Sequence, residues 1–263
     1  MKRRNFLLLA GTVGLSLAMV RALQALPDPS PSPSPVLVAA AASLQEALQA
    51  VATDFEAQHP TIDVTFTFGS SGALQQQIEQ GAPVDLFISA GVAQMDALAT
   101  KGLLVPDSRQ TLIGNRLVLI APAGSAPELK TFQDLSADAF KQIAVGEFRS
   151  VPAGQYAEQV LNYLGLLPTV QPKLVYANNV RAVLAAVEAG HAEAGLVYAT
   201  DAALAPGVRL VATAAPEWHK PITYPIAQLQ QATHPEAAQT FAHYLASEAA
   251  QAVFADFGFT VWE

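Results

Sequence analysis

The feature that most constrains the fold is a repeated alternation of short apolar strands and amphipathic helices, which occurs in both halves of the chain. In the first half, the continuous apolar run 36–40 precedes a helical stripe of apolar residues that extends from Leu44 to Phe55. A continuous apolar run is typical of a strand that is buried on both faces of a parallel sheet. Apolar residues at intervals of three and four indicate a helix with one buried face.

The same alternation restarts in the second half, after a predicted strand at 117–121. Strands are predicted at 143–145 and 174–176, and each precedes a helix that begins near Ala153 or Val180. Strands that alternate with helices in both halves predict two α/β units, each with a mostly parallel sheet flanked by helices. Ligands of such sheets bind at the carboxyl ends of the strands, where the following helices begin.

The small-residue turn at 69–72, Gly-Ser-Ser-Gly, is the strand-to-helix junction that is best suited to a ligand. It places hydroxyl groups and free backbone N–H groups at a helix N-terminus, with little side-chain bulk around them. Because helix N-termini carry unpaired donors and a partial positive charge, this turn is suited to an anion. Turns of this composition also cap helices without any ligand, so other helix starts have to converge on it.

Four candidate residues lie at strand-to-helix junctions, two in each unit: Ser43, Ser71, Ala153 and Val180. Together with Tyr198, they offer hydroxyl groups and helix-terminal amides as neutral hydrogen-bond donors. The formal net charge of the chain is −8, so long-range attraction of an anion is not expected. Hydrogen bonds to a charged group contribute about 1.5–3 kcal/mol each, so several neutral donors are sufficient for tight binding.

Each candidate also has a purely structural interpretation. Ser43 and Glu46 have the spacing of a capping box, in which the serine hydroxyl serves only the helix. Ala153 follows a proline and is small, and Val180 is the first member of an apolar helix stripe. Tyr198 has the alternative of a core aromatic whose hydroxyl bonds to a backbone carbonyl.

The N-terminal segment is not part of the predicted fold. Arg3 and Arg4 precede an uncharged apolar run at 6–20, which has the length of the hydrophobic region of a signal sequence. The local pattern resembles a twin-arginine export signal. We therefore predict a signal peptide over residues 1–25, with an uncleaved membrane anchor as the alternative, and a Pro/Ser linker over residues 26–35.

Composition and motifs argue against several classes of protein. The chain has no cysteine, and its five histidines lack the spacing of zinc ligands. Its acidic balance argues against nucleic acid as a partner. A Walker A sequence and a Gly-x-Ser-x-Gly motif are both absent, so we do not predict an enzyme. The alternative of a different class is an exported serine hydrolase that uses Ser71 with His219 or His234.

A set of segments occurs in the order found in the periplasmic molybdate-binding proteins of ABC transporters, the ModA family. These segments are 40–44 (AAASL), 68–72 (FGSSG), 81–90 (GAPVDLFISA), 109–115 (RQTLIGN), 151–154 (VPAG), 179–181 (NVR) and 195–198 (GLVY). The chain resembles that family over residues 36–261. The resemblance implies a type II periplasmic binding protein, in which two α/β lobes are joined by two crossing strands and the ligand lies in the cleft.

The resemblance also implies how the chain is divided between the lobes. Residues 36–117 and 222–263 are expected to form one lobe, and residues 118–221 the other. The crossings are then expected at 117–121 and around 212–224.

Site residues follow from the resemblance as well. It implies that the hydroxyls of Ser43, Ser71 and Tyr198, with the amides of Ser43, Ser71, Ala153 and Val180, hold molybdate. Tungstate is expected to bind similarly. A periplasmic monomer without a cofactor, and without any metal apart from the oxyanion, would deliver the ligand to an inner-membrane permease driven by a cytoplasmic ATPase.

The chain departs from the family pattern at two places. Gly72-Ala73 stands where some relatives have Ser-Thr, and Asn178-Asn179 stands where some have acidic residues. Asparagine caps a helix as well as aspartate does, so we expect a weak effect on affinity.

The type of donor bears on which oxyanion is bound. A fully ionised tetrahedral dianion only accepts hydrogen bonds, and the five candidate positions only donate them. Phosphate keeps a proton near neutral pH and would require a carboxylate acceptor, which none of these positions supplies. Sulfate differs from molybdate mainly in size, so a receptor for sulfate or another tetrahedral oxyanion stays the alternative.

Overall fold

The computed structural model describes residues 34–124 and 128–261. The predicted signal peptide and nearly all of the predicted linker lie outside these residues. The first strand begins at Ser34, slightly before the predicted start of the fold at Val36. Among the helices of the described part, none combines the length and the apolar character that crossing a bilayer would require.

The described chain alternates between strands and helices along its whole length. The strands are β1 (Ser34–Ala41), β2 (Ile62–Gly69), β3 (Leu86–Ile88), β4 (Gln110–Gly114), β5 (Leu117–Pro122), β6 (Ile143–Gly146), β7 (Leu174–Ala177), β8 (Ala194–Tyr198), β9 (Val208–Thr213) and β10 (Thr223–Gln228). The α-helices are α1 (Gln45–Gln58), α2 (Ser71–Glu79), α3 (Val92–Thr100), α4 (Pro152–Tyr163), α5 (Leu167–Val170), α6 (Val180–Glu188), α7 (Ala199–Ala203), α8 (Pro235–Leu245) and α9 (Glu248–Asp256). Short 3₁₀ turns cover Ala42–Leu44, Phe132–Ser136, Gln171–Lys173 and Pro216–Trp218.

The strands form two five-stranded sheets, with the orders β2-β1-β3-β10-β4 and β7-β6-β8-β5-β9. In the first sheet, β1 is parallel to β2 and β3, whereas β10 is antiparallel to both β3 and β4. In the second sheet, β6 is parallel to β7 and β8, whereas β5 is antiparallel to both β8 and β9. The predicted pair of mostly parallel sheets is confirmed, and one reversed strand makes each sheet mixed.

The reversed strand of each sheet is the first strand after the chain changes sheets. The chain leaves the first sheet at the end of β4 and enters the second with β5, and it returns between β9 and β10. We use lobe 1 for β1–β4, β10 and helices α1–α3, α8 and α9, and lobe 2 for β5–β9 and helices α4–α7. Strand β4 was not anticipated from the sequence, because it is a short edge strand whose partner β10 lies far away in the chain.

The core of lobe 1 follows the predicted helix stripe. The inward face of α1 consists of Ala47, Leu48, Val51, Ala52 and Phe55, all buried. The ring of Phe55 contacts that of Phe241 in α8, with 4.9 Å between their centroids. Helix α8, from the C-terminal part of the chain, therefore covers the same sheet as helix α1 from the N-terminal part.

Strand register brings the predicted junctions to facing edges. The parallel pairing of β1 with β2 ends at Ala41 and Gly69, so the chain segments that lead to Ser43 and Ser71 leave the first sheet side by side. In lobe 2 the pairing of β6 with β7 ends at Gly146 and Ala177, before the helices that carry the other two junctions. The carboxyl edges of both sheets are thus the place where a ligand would meet helix N-termini.

Candidate functional site

A small cavity lies between the carboxyl edges of the two sheets. Its total empty volume is about 210 Å³, part of which is open to solvent. Its lining includes all five residues proposed from the sequence, namely Ser43, Ser71, Ala153, Val180 and Tyr198. The structure therefore brings the predicted residues of both lobes together, and their contact with a ligand stays a prediction.

Ser43 does not cap helix α1. It lies in the 3₁₀ turn Ala42–Leu44, and α1 begins after this turn without a side-chain cap. The turn directs the Ser43 hydroxyl into the interior, where its Oγ lies 3.0 Å from the hydroxyl oxygen of Tyr224. Glu46 forms an ion pair with Arg181 instead of reaching back to the backbone. The capping-box interpretation is therefore wrong.

Ser71 is the first residue of α2, and the capping role belongs to its neighbour. The Oγ of Ser70 accepts a hydrogen bond of 3.3 Å from the amide of Ala73. The fully buried Ser71 accepts a hydrogen bond of 2.9 Å from the amide of Ala90, which follows β3. A serine oxygen that accepts still keeps its own hydrogen, so the Ser71 hydroxyl can donate into the cavity.

Lobe 2 contributes two helix N-termini to the cavity. Helix α4 begins with Pro152 followed by Ala153, and helix α6 begins with Val180. The side chain of Asn179 accepts a hydrogen bond of 2.9 Å from the amide of Ala182 and caps α6. The first amides of a helix have no carbonyl partner in their own helix, which makes those of Ala153 and Val180 available for an anion.

The apolar interpretation of Val180 is also correct. Its side chain is buried in the main core of the protein. Core packing and ligand binding are compatible here, because binding would use only the backbone amide of this residue.

Close packing places the start of α4 directly against β6. A Cβ atom on Gly154 would lie only 2.2 Å from the carbonyl oxygen of Gly146, a distance that real atoms do not tolerate. A glycine is therefore required at position 154 for the N-terminus of α4 to reach the cavity.

Tyr198 ends β8 and is almost fully buried. Its hydroxyl lies 3.5 Å from the carbonyl oxygen of Ala90, which is longer than a normal O–H···O hydrogen bond. Burial, and next the neighbouring Tyr224, raise the pKa of Tyr198 well above its ordinary value. The phenol therefore stays neutral and keeps its hydrogen for donation.

No charged side chain occurs among the described residues that line the cavity. Arg181, which follows the lining residue Val180, is engaged by two carboxylates instead. Its Nε lies 2.7 Å from Oδ1 of the buried Asp201 in lobe 2, and its terminal nitrogen pairs with Glu46 in lobe 1. Burial raises the pKa of Asp201 to about 7, although Arg181 acts in the opposite direction. Arg181 thus serves the protein as a link between lobes.

Further contacts join the lobes next to the cavity. The amide of Gly72 donates a hydrogen bond of 3.0 Å to the carbonyl oxygen of Ser150, and Gln94 Nε2 lies 3.3 Å from Gln155 Oε1. A Cβ atom on Gly72 would lie 2.3 Å from the Ser150 oxygen. The lobes therefore approach each other closely here only because residue 72 is glycine.

Sequence reasoning missed the residues that hold the two serine hydroxyls. Ala90 lines the cavity and donates to Ser71, and its position after an apolar strand was the available signal. Tyr224 and Asn115 contact each other behind Ser43, at 3.2 Å. Asn115 ends the segment 109–115 that contributes to the family resemblance, but that segment gave it no role, and no local pattern identifies Tyr224. Their role depends on contacts between distant parts of the chain.

Comparison with known proteins supports the two-lobed fold. A family model described as bacterial extracellular solute-binding protein matches residues 36–260. The molybdate-binding protein ModA of Haemophilus influenzae is 40% identical over 224 residues, which are 84% of this chain and 88% of that protein. The periplasmic molybdate-binding protein structure from Azotobacter vinelandii has a TM-score of 0.77 and 26% identity, covering 87% of this chain and 100% of that chain. These matches confirm the predicted resemblance and the fold of a periplasmic binding protein.

The fold alone is shared with proteins of other specificity. The sulfate-binding protein SubI of Mycobacterium tuberculosis has a TM-score of 0.74 with only 18% identity, over 86% of each chain. The architecture of two lobes around a cleft therefore does not by itself discriminate between oxyanions.

Proposed function

Because the chain belongs to the bacterial extracellular solute-binding protein family, with ModA proteins among its relatives, we propose that it binds molybdate for an ABC transporter. The observation that supports this most is the convergence of five neutral donor residues, from both lobes, on one cavity with an uncharged lining. A tetrahedral dianion without a proton can accept hydrogen bonds from all of them at once.

The proposed contacts divide between side chains and backbone. The hydroxyls of Ser43, Ser71 and Tyr198 donate to the ligand, together with the amides of Ser43, Ser71, Ala153 and Val180. Hydrogen bonds to a charged group contribute about 1.5–3 kcal/mol each. After the cost of immobilisation, their sum is roughly −8 to −12 kcal/mol, which corresponds to a micromolar to nanomolar Kd. Tungstate has the same tetrahedral shape and charge, and it binds in the same way.

Lobe movement and delivery complete the proposal. Residues 36–117 and 222–263 move as one lobe, residues 118–221 move as the other, and the ligand is enclosed as they close. The loaded monomer docks on an inner-membrane permease, which a cytoplasmic ATPase drives. Export to the periplasm by the twin-arginine route follows from the arginine pair in the N-terminal segment.

We infer binding and not catalysis. The hydrolase alternative requires Ser71 next to His219 or His234, and neither histidine belongs to the described lining of the cavity. Nδ1 of His219 instead lies 2.7 Å from the carbonyl oxygen of Lys220. Relatives of the chain are solute-binding proteins, which agrees with this inference.

A thermal-shift titration of the purified protein with molybdate, tungstate, sulfate and phosphate tests the proposal. Stabilisation follows RT ln(1 + [L]/Kd), so a tight ligand raises the Tm at low concentration. Molybdate and tungstate are expected to raise the Tm strongly, and sulfate and phosphate weakly or not at all. Equal stabilisation by sulfate at equal concentration would remove the molybdate assignment. Covalent labelling of Ser71 by a fluorophosphonate would instead support the hydrolase.

A further inference from the structure

A buried polar chain lies directly behind Ser43. Tyr224 on β10 is fully buried, and its hydroxyl oxygen lies 3.0 Å from Ser43 Oγ and 3.2 Å from Asn115 Nδ2. Neither Tyr224 nor Asn115 lines the cavity. Tyr224 adjoins the site through Ser43 and through Tyr198, whose ring centroid lies 5.9 Å from that of Tyr224. Asn115 follows β4, where the chain passes from lobe 1 to lobe 2.

The direction of each hydrogen bond in this chain is determined by its far end. The amide of Arg116 donates to Asn115 Oδ1 over 2.8 Å, which orients the side-chain amide of Asn115. Its Nδ2 group, which can only donate, then faces the Tyr224 oxygen at 3.2 Å and Thr200 Oγ1 at 2.9 Å. Tyr224 therefore accepts from Asn115. Either hydroxyl could donate in its pair with Ser43, and we assign the Tyr224 hydrogen to Ser43 Oγ, which is the acceptor within hydrogen-bond distance of it among the described contacts.

The Ser43 oxygen consequently accepts from Tyr224, and the Ser43 hydrogen is left to point elsewhere. Ser71 has the same arrangement, because its oxygen accepts from the amide of Ala90 over 2.9 Å. Both serine hydroxyls of lobe 1 thus have their oxygens occupied by donors of the protein. Burial raises the pKa of Tyr224 far above its ordinary value, so its hydrogen is retained at physiological pH.

We propose that Tyr224 and Asn115 are positioning residues that make Ser43 a donor toward the cavity, and that they thereby select fully deprotonated tetrahedral oxyanions over protonated ones. This inference rests on the proposed function. A ligand that carries a proton, such as hydrogen phosphate, would find the Ser43 and Ser71 oxygens already occupied. Its O–H group would have to share a serine oxygen that already accepts one hydrogen bond from the protein, which is less favourable than an unoccupied acceptor. The residues behind the site, and not those that line it, thus determine which hydrogen-bond pattern it offers.

The substitution Tyr224→Phe removes the hydroxyl that orients Ser43 and keeps the ring. Ser43 can then rotate and present its oxygen to the ligand. We expect the affinity for molybdate, measured by calorimetry on the purified protein, to fall about tenfold, since one charge-assisted hydrogen bond is no longer oriented. The affinity for phosphate, measured by competition, is expected to stay constant or rise. The ratio of molybdate affinity to phosphate affinity should therefore fall by about tenfold or more.

Tyr156→Phe is the matched control. Tyr156 is also a buried phenol, its hydroxyl lies 3.5 Å from the carbonyl oxygen of Pro221, and it does not belong to the described lining of the cavity. Its removal should leave both affinities unchanged, which separates the loss of a buried hydroxyl from the loss of this particular one.

Asn115→Asp tests the direction of the chain without removing any hydroxyl. A carboxylate at position 115 can accept from Arg116, Thr200 and Tyr224 alike, so the Tyr224 hydrogen would turn away from Ser43. The added negative charge weakens the binding of molybdate and of hydrogen phosphate alike. The measured quantity is therefore the ratio of molybdate affinity to phosphate affinity. This ratio should fall, as it is expected to do for Tyr224→Phe.

The outcomes are distinguishable. If the wild-type protein does not bind molybdate, the proposed function fails. If it binds molybdate but the molybdate-to-phosphate ratio in Tyr224→Phe equals that of Tyr156→Phe, the positioning role is wrong and Tyr224 serves only packing. Phosphate binding that stays undetectable in Tyr224→Phe, with molybdate affinity within about twofold of wild type, overturns the proposal equally.

Discussion

The two halves of the cavity offer hydrogen bonds in different ways. Lobe 1 contributes the hydroxyls of Ser43 and Ser71, and each oxygen is held by another group of the protein. Lobe 2 contributes the starts of α4 and α6, where the donors are backbone amides, together with the hydroxyl of Tyr198. In the proposed binding mode, recognition by lobe 1 would use side-chain hydroxyls beside the amides of Ser43 and Ser71, whereas recognition by lobe 2 would depend mostly on where a helix begins.

The lobes also treat a buried carboxylate differently. Asp85 in lobe 1 accepts hydrogen bonds from the amides of Leu37, Thr233 and His234, at 2.6–3.2 Å. Asp201 in lobe 2 has Arg181 beside it at 2.7 Å, without the alignment of a hydrogen bond. The negative charge of Asp85 is compensated by amides of its own lobe. The charge of Asp201 depends on Arg181, which also pairs with Glu46 in lobe 1.

The largest expected effect concerns this buried carboxyl of lobe 2. Its pKa is raised from 3.8 to about 7, mainly by burial. Above pH ~4, the carboxyl of Asp201 ionises in the unfolded chain but stays protonated in the folded protein. Its contribution to the free energy of unfolding is therefore full below pH ~4 and is lost as the pH rises through ~7. Over this range the free energy of unfolding falls by about 4 kcal/mol at most. Chemical denaturation should show that wild-type stability falls over this range relative to Asp201→Asn.

Identical pH profiles of wild type and Asp201→Asn would contradict that expectation. They would show that Arg181 offsets the effects of burial and of Glu46 and keeps Asp201 ionised in the folded state over this range.

Ser71→Ala tests the dependence of lobe 1 on side-chain identity. We expect a loss of about 1.5–3 kcal/mol in molybdate binding, because one donor to the charged ligand is removed. The matched control is Ser70→Ala, which removes the helix cap and should lower stability by about 1 kcal/mol with a smaller effect on affinity. Calorimetric titration with thermal melts of the free proteins separates the two effects. A reversed pattern would assign the ligand contact to Ser70.

Gly72→Ala tests the close approach of the two lobes. The added Cβ would collide with the Ser150 carbonyl at 2.3 Å, so the arrangement seen here could not form unchanged. We expect a loss in molybdate affinity of roughly tenfold, while the free protein becomes up to about 1 kcal/mol more stable because alanine favours helix. Titration and thermal melting measure the two effects. Unchanged affinity would mean that the lobes tolerate a wider separation in the bound state.

The smallest effect on affinity is expected for Val180→Ala. Its backbone amide is the proposed ligand contact and remains in place, whereas the buried side chain loses core packing. Stability should fall by about 1–3 kcal/mol. Molybdate affinity should stay within about threefold of wild type. A loss of affinity as large as that of Ser71→Ala would remove the distinction between the two halves of the cavity.

Local patterns were sufficient for much of the fold. The apolar stripe from Leu44 to Phe55 predicted the buried face of α1, and the alternation of strands with helices predicted two α/β units. These features are local, because the period of a helix or strand appears directly in the spacing of apolar residues. Strand β4 escaped prediction because it is short and is paired only with β10 among the described strands.

The structure places the predicted site positions around one cavity, while their contact with a ligand stays a prediction and the predicted hydrogen bond of Ser43 was wrong. Helix starts that follow parallel strands converge by topology, which is why Ser43, Ser71, Ala153, Val180 and Tyr198 all line one cavity. The capping box of Ser43 failed, because a 3₁₀ turn between β1 and α1 gives its hydroxyl a different partner. Local spacing does not encode that turn.

The sequence by itself determined where strands and helices alternate, and which small or hydroxyl residues stand at their junctions. Only the tertiary structure decided which groups those residues contact. Ser43 contacts Tyr224 across 181 positions of sequence, because the chain passes through all the strands of lobe 2 before β10 returns to the sheet of lobe 1. Arg181 is likewise turned from the cavity to Glu46, 135 positions earlier. Periodicity is a property of neighbours along the chain, whereas the direction of a hydrogen bond depends on which distant partner the fold supplies.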